Sequence, residues 1–307
     1  MYDVPVLLVA FNRPERLAAL ISELREIRPA RVYVAVDGPR RDVPGEKERV
    51  LATRAEVAAI DWPADVRTLY REENLGCGRG VSGAIDWLFA HEERGIVLED
   101  DILPDPSFFP FCAELLDRYQ DDPRVWAISG CNFVPARHLS GFASYRFTSV
   151  PHIWGWATWR RAWDDYRFDA SHWRKRLDLL SLRRAAGSTM GAAYWAAMFE
   201  LAARGAVDTW DFQAALTAMS EGGLTATANV NLVENVGFGS GSTHTQARPG
   251  YVRPVETMAF PLVHPPEVIV DSRSEDWTRR TVFEATPQGL AAQALRFARR
   301  SILDRSR

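Results

Sequence analysis

The stretch Gly95-Ile96-Val97-Leu98-Glu99-Asp100-Asp101 is an apolar run that ends in three consecutive acids. A short apolar run is typical of a strand buried on both faces of a parallel sheet. Adjacent carboxylates repel one another and are costly to bury, so we expect a cation to balance them at the strand end. Oxygen ligands of this type suit Mg²⁺ or Mn²⁺. The alternative is a solvated acidic turn before the next helix.

Strand-like and helix-like patterns alternate on both sides of this run. Repeated β-α-β units predict an α/β fold with one Rossmann-like, mainly parallel sheet flanked by helices. Ligands of such sheets lie beyond the carboxyl ends of the strands, which places Asp37, the 74–80 loop and residues 99–101 on one edge. The predicted strands are 4–11, 31–36, 66–70, 95–98 and 125–129, and the predicted helices are 14–27, 46–60, 81–93 and 106–119.

The pattern changes after residue 140, where tryptophans become frequent. Helical spacing recurs at 177–184, 190–204 and 211–220, and no repeat or linker separates two cores. We therefore predict one domain, 1–264, in two halves (1–135 and 136–264), followed by a poorly periodic arm, 265–307. The last 20 residues fit a basic amphipathic helix, which is able to dock on anionic lipid or to pack on its own domain.

Composition excludes several classes of protein. The chain has 307 residues, 47% apolar and 25% charged, with a net charge of −3, so no basic field draws it to nucleic acid. Three cysteines without a CxxC pair argue against zinc or a disulfide framework and favour a reducing compartment. No signal peptide and no spanning apolar run are recognisable. We expect a cytoplasmic protein, with the basic tail suggesting the inner face of a membrane; the sequence does not indicate an oligomeric state.

Two further segments suit a nucleotide diphosphate. Asp37 ends the second strand, where it is able to bind a ribose or base edge, or only to form a turn with Gly38. The loop Asn74-Leu-Gly-Cys-Gly-Arg-Gly80 opens a helix and carries Arg79, features that suit a phosphate. A dinucleotide-binding oxidoreductase would also place glycines here. However, the spacing is GxGxG instead of GxGxxG, and it follows the third strand.

With these pieces in place, the chain resembles bacterial glycosyltransferases of the GT-A fold, of the family 2 type. The resemblance lies in Phe11-Asn-Arg-Pro14, Asp37-Gly38, the 74–80 loop, and the segment 97–109 with its Pro-Ser-Phe-Phe. The acidic block, together with Trp126-Ala-Ile-Ser-Gly-Cys-Asn132, is also similar to eukaryotic N-acetylglucosaminyltransferase I. The resemblance as a whole covers about residues 4 to 245 of this chain.

The resemblance implies a role for each matching residue. Asp101 would coordinate a metal that bridges the donor phosphates, and His244, after a glycine-rich stretch, would add a metal or phosphate contact. Asp37 would lie at the nucleoside. The remaining donor contacts would come from Phe11, Arg13, Asn74, Gly76, Arg79, Glu99 and Asp100.

The second half would bind the acceptor. In the resembling transferases a Trp-Asp segment opens a helix and carries the catalytic base, and Trp210-Asp211 matches it, with Asp208 in reserve because Phe212 replaces a second acid. A carboxylate is a suitable base for an acceptor hydroxyl. We predict Trp154 and Trp156 near the sugar, since tryptophan faces suit the C–H faces of sugar rings, although clustered tryptophans are commonly core residues.

These observations predict a metal-dependent hexosyltransferase. It would move a hexose or N-acetylhexosamine from a nucleotide diphosphate sugar, most simply a UDP-sugar, to a hydroxyl of a glycan or lipid-linked acceptor, with inversion. Synthesis of a bacterial surface polysaccharide would follow from the resemblance. Two alternatives stay open: a sugar-1-phosphate nucleotidyltransferase, which would normally have a glycine-rich loop after the first strand, and a catalytically silent carbohydrate-binding relative.

Overall fold

The computed structural model describes residues 1–238 and 248–292, and within them an eight-stranded sheet forms the centre. The strand order is β3-β2-β1-β4-β8-β6-β9-β7. A separate antiparallel pair, β5 and β10, lies beyond it. The strands are β1 (Val6–Ala10), β2 (Arg31–Val36), β3 (Asp65–Tyr70), β4 (Arg94–Glu99), β5 (Ile102–Pro104), β6 (Val125–Ser129), β7 (Tyr145–Thr148), β8 (Trp156–Trp159), β9 (Leu224–Ala228) and β10 (Val233–Asn235).

Helices cover both faces of this sheet. The fold-class prediction, a single Rossmann-like and mostly parallel sheet flanked by helices, is confirmed. The helices are α1 (Pro14–Ile27), α2 (Glu46–Ala55), α3 (Gly76–Phe89), α4 (Phe108–Arg118), α5 (Arg160–Trp163), α6 (Trp173–Arg176), α7 (Leu179–Ala185), α8 (Thr189–Ala203), α9 (Asp211–Ser220) and α10 (Ser272–Thr281).

Strand β1 shows why its apolar run is continuous. Leu7 faces one side of the sheet and packs in a cluster with α3 and α9, whereas Val6 and Leu8 face the other side, towards α1 and α4. All three side chains are fully buried. Since alternate residues of a strand point to opposite faces, a strand covered on both faces needs apolar residues throughout.

The topology brings strand ends together at one edge. Strands β1, β2, β3 and β4 are parallel, and their register pairs Ala10 with Val36 and Val9 with Glu99. Strand β8 runs antiparallel between β4 and β6, which places Trp156 beside Val97. The carboxyl ends of β1, β2 and β4 therefore lie side by side. This agrees with the prediction that residues following the strands lie on one edge of the sheet.

The Trp-rich half adds its own cluster beside α8 and α9. Its buried members include Trp173, Leu182, Trp195, Phe199 and Leu216, and this set is termed the outer cluster. Ala285 is buried in it, and Phe283 and Leu290 pack against it. The outer cluster thus joins the second half of the domain to the chain that follows α10.

The C-terminal arm differs from its prediction as a poorly periodic segment. Residues 272–281 form α10, whose N-terminus is capped by Asp271 through the N–H groups of Arg273 and Ser274. The guanidinium of Arg146, on β7, is buried and donates to Ser274 Oγ, Asn132 Oδ1 and the Ala228 carbonyl, each at 3.0 Å. The contact with Ser274 ties the arm to β7, and hydrophobic periodicity does not reveal it. The predicted tail helix lies almost wholly outside the described residues.

Among the described residues, none of the helices combines the length and apolar character needed to cross a bilayer.

Replacing Arg146 by Met should destabilise the folded chain by about 3 to 5 kcal/mol. The change removes the hydrogen bonds that Arg146 donates to Asn132 Oδ1 and to the Ala228 carbonyl, and it removes the positive charge near buried Glu275, whose pKa is raised mainly by burial. Urea unfolding followed by circular dichroism measures the loss. Arg273→Met, at an exposed position of the same helix α10, is the matched control and should change stability by less than about 0.5 kcal/mol. Equal effects of the two variants would contradict this anchoring role.

Candidate active site

Two of the three carboxyl groups pair with arginines where β4 ends. Arg13 Nη1 lies 3.2 Å from Asp100 Oδ1 and 3.7 Å from Asp101 Oδ2, and Arg16 Nη1 lies 3.9 Å from Asp101 Oδ2. Both arginines come from the start of α1, which follows the carboxyl end of β1. The predicted residues Arg13, Asp100 and Asp101 are therefore brought together, and Arg16 joins them although no sequence pattern indicated it.

The two arginines do not fully offset the burial of these acids. Burial raises the pKa of Asp100 to about 6, against the lowering effect of Arg13 and of the Phe11 N–H, which donates to Oδ2 over 3.4 Å. Burial also raises the pKa of Asp101. The pKa of Glu99 rises to about 8, first through burial and then through the charges of Asp101, Asp100 and Asp211. The site therefore retains an excess of negative charge when its acids are ionised.

The end of β10 contributes an oxygen atom to the same place. Val236 N–H donates to the Asp101 carbonyl over 2.8 Å. A Cβ atom on Gly237 would lie 2.3 Å from Asp101 Oδ2 and 2.8 Å from Asn235 Oδ1, so only glycine fits beside these two oxygens. Asn235 is a neighbour that sequence reasoning missed; its place two residues before a glycine was the available signal. His244 lies outside the described residues.

No group of three or more His, Cys, Asp or Glu side chains in residues 1–238 and 248–292 is arranged to hold a metal ion. Consecutive residues of an extended chain point in different directions, so Glu99, Asp100 and Asp101 do not converge as one set of ligands. Asp101 and Asn235 are the neighbouring oxygen donors.

Asp211 reaches this edge from the second half of the domain. It occupies the first turn of α9, where Oδ1 accepts from its neighbour Phe212 N–H over 2.9 Å and from the Thr209 hydroxyl. The pKa of the Cys77 thiol is raised by burial and then by the charges of Glu99, Asp208, Asp211 and Asp101. The charges of acids from β4 and from the entry to α9 therefore both act on Cys77.

Asp208 has a different setting from Asp211. Its two carboxylate oxygens accept from the N–H groups of Cys77 (2.8 Å) and Gly78 (2.9 Å), at the first turn of α3. A Cβ on Gly76 would lie 2.5 Å from Asp208 Oδ2, which explains why glycine is required there. The glycine-rich segment is thus the start of α3, five residues earlier than predicted. The chain's own carboxylate occupies the helix N-terminus that was expected to approach a phosphate.

Asp37 holds the start of the 74–80 loop through hydrogen bonds. Its carboxylate accepts from Leu75 N–H and from Asn74 Nδ2, both at 3.0 Å, and from Gly38 N–H at 2.9 Å. Burial raises the pKa of this carboxyl, while those backbone N–H groups lower it. Asp37 and Asn74 therefore lie together at the carboxyl edge of the sheet, where they are hydrogen-bonded to each other. Arg79 is exposed, with its guanidinium 4.5 Å from the ring centroid of Phe168.

The two tryptophans expected near the sugar lie in different environments. Trp154 is half-buried, with edge contacts to Phe133 (5.1 Å between ring centroids) and Phe238 (5.8 Å). Trp156 is 1% exposed and stacks between Trp126 and Trp210. This corrects the expectation for Trp156, because a side chain on β8 that faces α9 is enclosed in the core. Phe11 is half-buried, with the Arg40 guanidinium 5.6 Å from its ring centroid.

The fold and the acidic edge define a Rossmann-like α/β protein with a cluster of acidic and basic side chains at the carboxyl ends of its strands. Several solved structures are similar to it. S. aureus TarS (residues 1–349) is 11% identical over 75% of this chain and 59% of its own, with a TM-score of 0.43. Apo UDP-glucose pyrophosphorylase is 11% identical over 76% and 93% of the two chains (TM-score 0.39). The glycosyltransferase GlyE of Streptococcus pneumoniae TIGR4 is 11% identical over 75% and 46% (TM-score 0.35).

No protein-family profile and no curated protein matches the chain in sequence. The chain spans 59% of the S. aureus TarS structure. At 11% identity these similarities do not assign an activity, and the function is argued below from the site itself.

The raised pKa values predict a pH dependence of stability in the absence of divalent metal. A carboxyl whose pKa is raised on folding binds its proton more tightly in the folded state, so stability is highest at low pH. For Glu99 the free energy of unfolding should therefore fall as pH rises from 4.5 to about 8. Urea unfolding in a chelator at several pH values measures this slope. Glu99→Gln should flatten it and Glu72→Gln, at an exposed position, should not; an unchanged slope in Glu99→Gln would contradict the prediction.

Proposed function

We propose that the chain is a metal-dependent glycosyltransferase. It transfers a hexose or N-acetylhexosamine from a nucleotide diphosphate sugar, a UDP-sugar, to a hydroxyl of a glycan or lipid-linked acceptor, with inversion. One observation carries the proposal: acids from the end of β4 and from the start of α9 converge, so that Asp211 raises the pKa of Glu99. A cation and a base are the two charged groups that such a transfer needs.

The donor set supports a hard divalent cation in the proposed site. Asp101 Oδ2 and Asn235 Oδ1 face the same space beside Gly237, and the surrounding acids keep raised pKa values despite two arginines. Oxygen donors of this kind suit Mn²⁺ or Mg²⁺, which complete their coordination with water and substrate phosphate. In this proposal Asp101 and His244 are the protein ligands of the cation. His244 follows Gly237 by only seven residues in the sequence. When bound, the cation supplies positive charge opposite the leaving diphosphate.

A diphosphate would also satisfy an arginine that now lacks an acceptor. Arg16 Nη1 is buried and has no hydrogen-bond partner, although Asp101 lies 3.9 Å away. A buried donor without a partner costs about 1 to 3 kcal/mol, which a phosphate oxygen would recover. Arg13 is close enough to contribute to the same phosphate. Because Asp208 already caps α3, we assign the phosphates to this α1 side and not to the N–H groups of the 76–78 turn.

The rest of the donor would extend along the carboxyl edge. In this proposal the nucleoside lies between Phe11 and Asp37, beside Asn74, Gly76 and Arg79, while Glu99 and Asp100 contact the ribose and the sugar. Trp154, half-buried beside Phe133, offers an aromatic face for a sugar ring. Trp156 is left out because its ring is enclosed.

In the transfer step Asp211 acts as the general base. Its carboxylate accepts the proton of the acceptor hydroxyl while that oxygen forms a bond to the anomeric carbon. The bond from this carbon to the diphosphate oxygen breaks, and its electron pair leaves with the nucleoside diphosphate. Attack from the side opposite the leaving group inverts the anomeric centre. The start of α9 holds the carboxylate in place through Thr209, which favours it over Asp208, whose two oxygens are already engaged.

Asp101→Ala should weaken the binding of UDP in the presence of Mn²⁺ by at least about tenfold, because the proposed metal ligand is removed. Isothermal titration calorimetry with UDP, with and without Mn²⁺, measures the loss. Asp121→Ala, at an exposed position on the opposite edge of the sheet, is the matched control and should bind as the parent chain does. Metal-dependent binding that survives in Asp101→Ala would exclude Asp101 as the ligand. A preceding thermal-shift screen of UDP, GDP, CMP and TDP sugars identifies the donor class.

Asp211→Asn should retain donor binding and lose transfer by about 10² to 10⁴-fold, the usual contribution of a general base. Release of nucleoside diphosphate measures transfer, and calorimetry measures binding on the same preparation. A sugar-1-phosphate nucleotidyltransferase would instead form a nucleotide sugar from UTP and sugar 1-phosphate, so that reaction is run in parallel. Asp208→Asn is the comparison variant: if it abolishes transfer while remaining folded and Asp211→Asn stays active, the base has been assigned to the wrong acid.

A further inference from the structure

Two adjacent leucines are exposed on the short helix α7. Leu179 is 67% exposed and Leu180 is 74% exposed, and they form the only adjacent pair of exposed large apolar side chains in the described ranges. Leu182, on the same helix, is fully buried in the outer cluster. With 100° between successive helical residues, Leu180 points away from Leu182 and from the core. An exposed apolar pair of this kind marks a contact surface.

Basic side chains surround the leucines. Residues 173–186, which contain α6 and α7, have five basic residues and one acid, in a chain whose net charge is −3. Arg184 is four residues after Leu180 and Arg183 four after Leu179, so each arginine lies one helical turn from a leucine, and both are exposed. Arg174 and Lys175, both exposed, belong to α6, immediately before, whereas Arg176 is half-buried and donates to the Asp165 carbonyl over 2.9 Å. Residues 174–184 are termed the α6–α7 surface.

The acids nearby do not cancel this charge. Asp178 is turned to the helix itself, where Oδ1 accepts from the N–H groups of Leu180 (2.8 Å) and Ser181 (3.0 Å). Glu200 pairs with Arg174 (2.9 Å) and also with Arg204 (2.8 Å), so one acid is shared by two arginines. The α6–α7 surface is therefore positive as well as apolar.

The last described residues lie at the outer cluster, into which α7 also packs. Leu290 packs against the outer cluster, which also contains Leu182, and the described chain ends at residue 292. The sequence beyond it, 293–307, has five arginines and one acid. Two basic segments with apolar residues thus originate from the same part of the fold.

We propose that the α6–α7 surface docks on a membrane that contains anionic lipid. Basic residues are attracted to the negative surface of such a membrane, and leucines gain free energy by entering the interface. Neither a nucleic acid nor an acidic protein loop would offer the apolar phase that Leu179 and Leu180 require. Docking here is independent of the proposed transferase reaction, although it would bring the domain to a lipid-linked acceptor.

Vesicle co-sedimentation of the full chain tests the proposal. Binding to phosphatidylcholine vesicles that contain phosphatidylglycerol should exceed binding to phosphatidylcholine alone by at least about tenfold and should weaken as salt screens the charges. Leu179→Ser/Leu180→Ser and, separately, Arg183→Gln/Arg184→Gln should each reduce it by about tenfold. Leu51→Ser (53% exposed, on α2) and Arg41→Gln (79% exposed side chain) are matched controls that should bind as the parent chain does.

Three outcomes would overturn the proposal. The first is equal binding to both kinds of vesicle, or none. The second is a folded leucine or arginine double variant that binds vesicles as the parent chain does. This includes the case in which deletion of residues 293–307 abolishes binding while both double variants still bind. The third is a dimer, measured by light scattering, that dissociates on Leu179→Ser/Leu180→Ser, since the occupant of the surface would then be a second copy of the chain.

Discussion

The balance of charge at the end of β4 determines how the rest of the site is arranged. Three acids follow a buried strand, and burial favours their neutral forms. The start of α1 supplies Arg13 and Arg16, but the pKa of Glu99 still reaches about 8. These acids thus lie in surroundings that favour their neutral forms. The charge of Asp211, from the second half of the domain, also raises the pKa of Glu99, so the two halves are electrostatically coupled.

Close backbone packing at the glycines makes this coupling possible. Asp208 accepts from the first turn of α3, and its carboxylate lies where a side chain on Gly76 would be. The segment between Asp208 and Asp211 is thereby tied to the first half of the domain, so α9 begins close to the end of β4. Asp37 fixes the preceding loop through Leu75 and Asn74. One aspartate thus fixes the start of α3, and another, three residues later, lies in the first turn of α9.

Much of the fold could be predicted because it depends on local patterns. The apolar run of β1, the proline at the start of α1 and the spacing of α9 are visible in the sequence, and the structure has α9 at the predicted residues 211–220. Helix α10 and the early start of α3 were missed. Both depend on polar partners distant in sequence, Arg146 for the first and Asp208 for the second, and periodicity contains no information about such partners.

Strand ends follow from hydrophobic runs and turn residues, so the acids at the edge of the sheet could be recognised from the sequence. What each group contacts depends on the tertiary structure. It enclosed Trp156 between two other tryptophans, left Trp154 partly accessible, and added Arg16 and Asn235 to the acidic edge. The physical reason is that the environment of a side chain, and hence its pKa and accessibility, depends on segments brought together by packing and not on its neighbours in the chain.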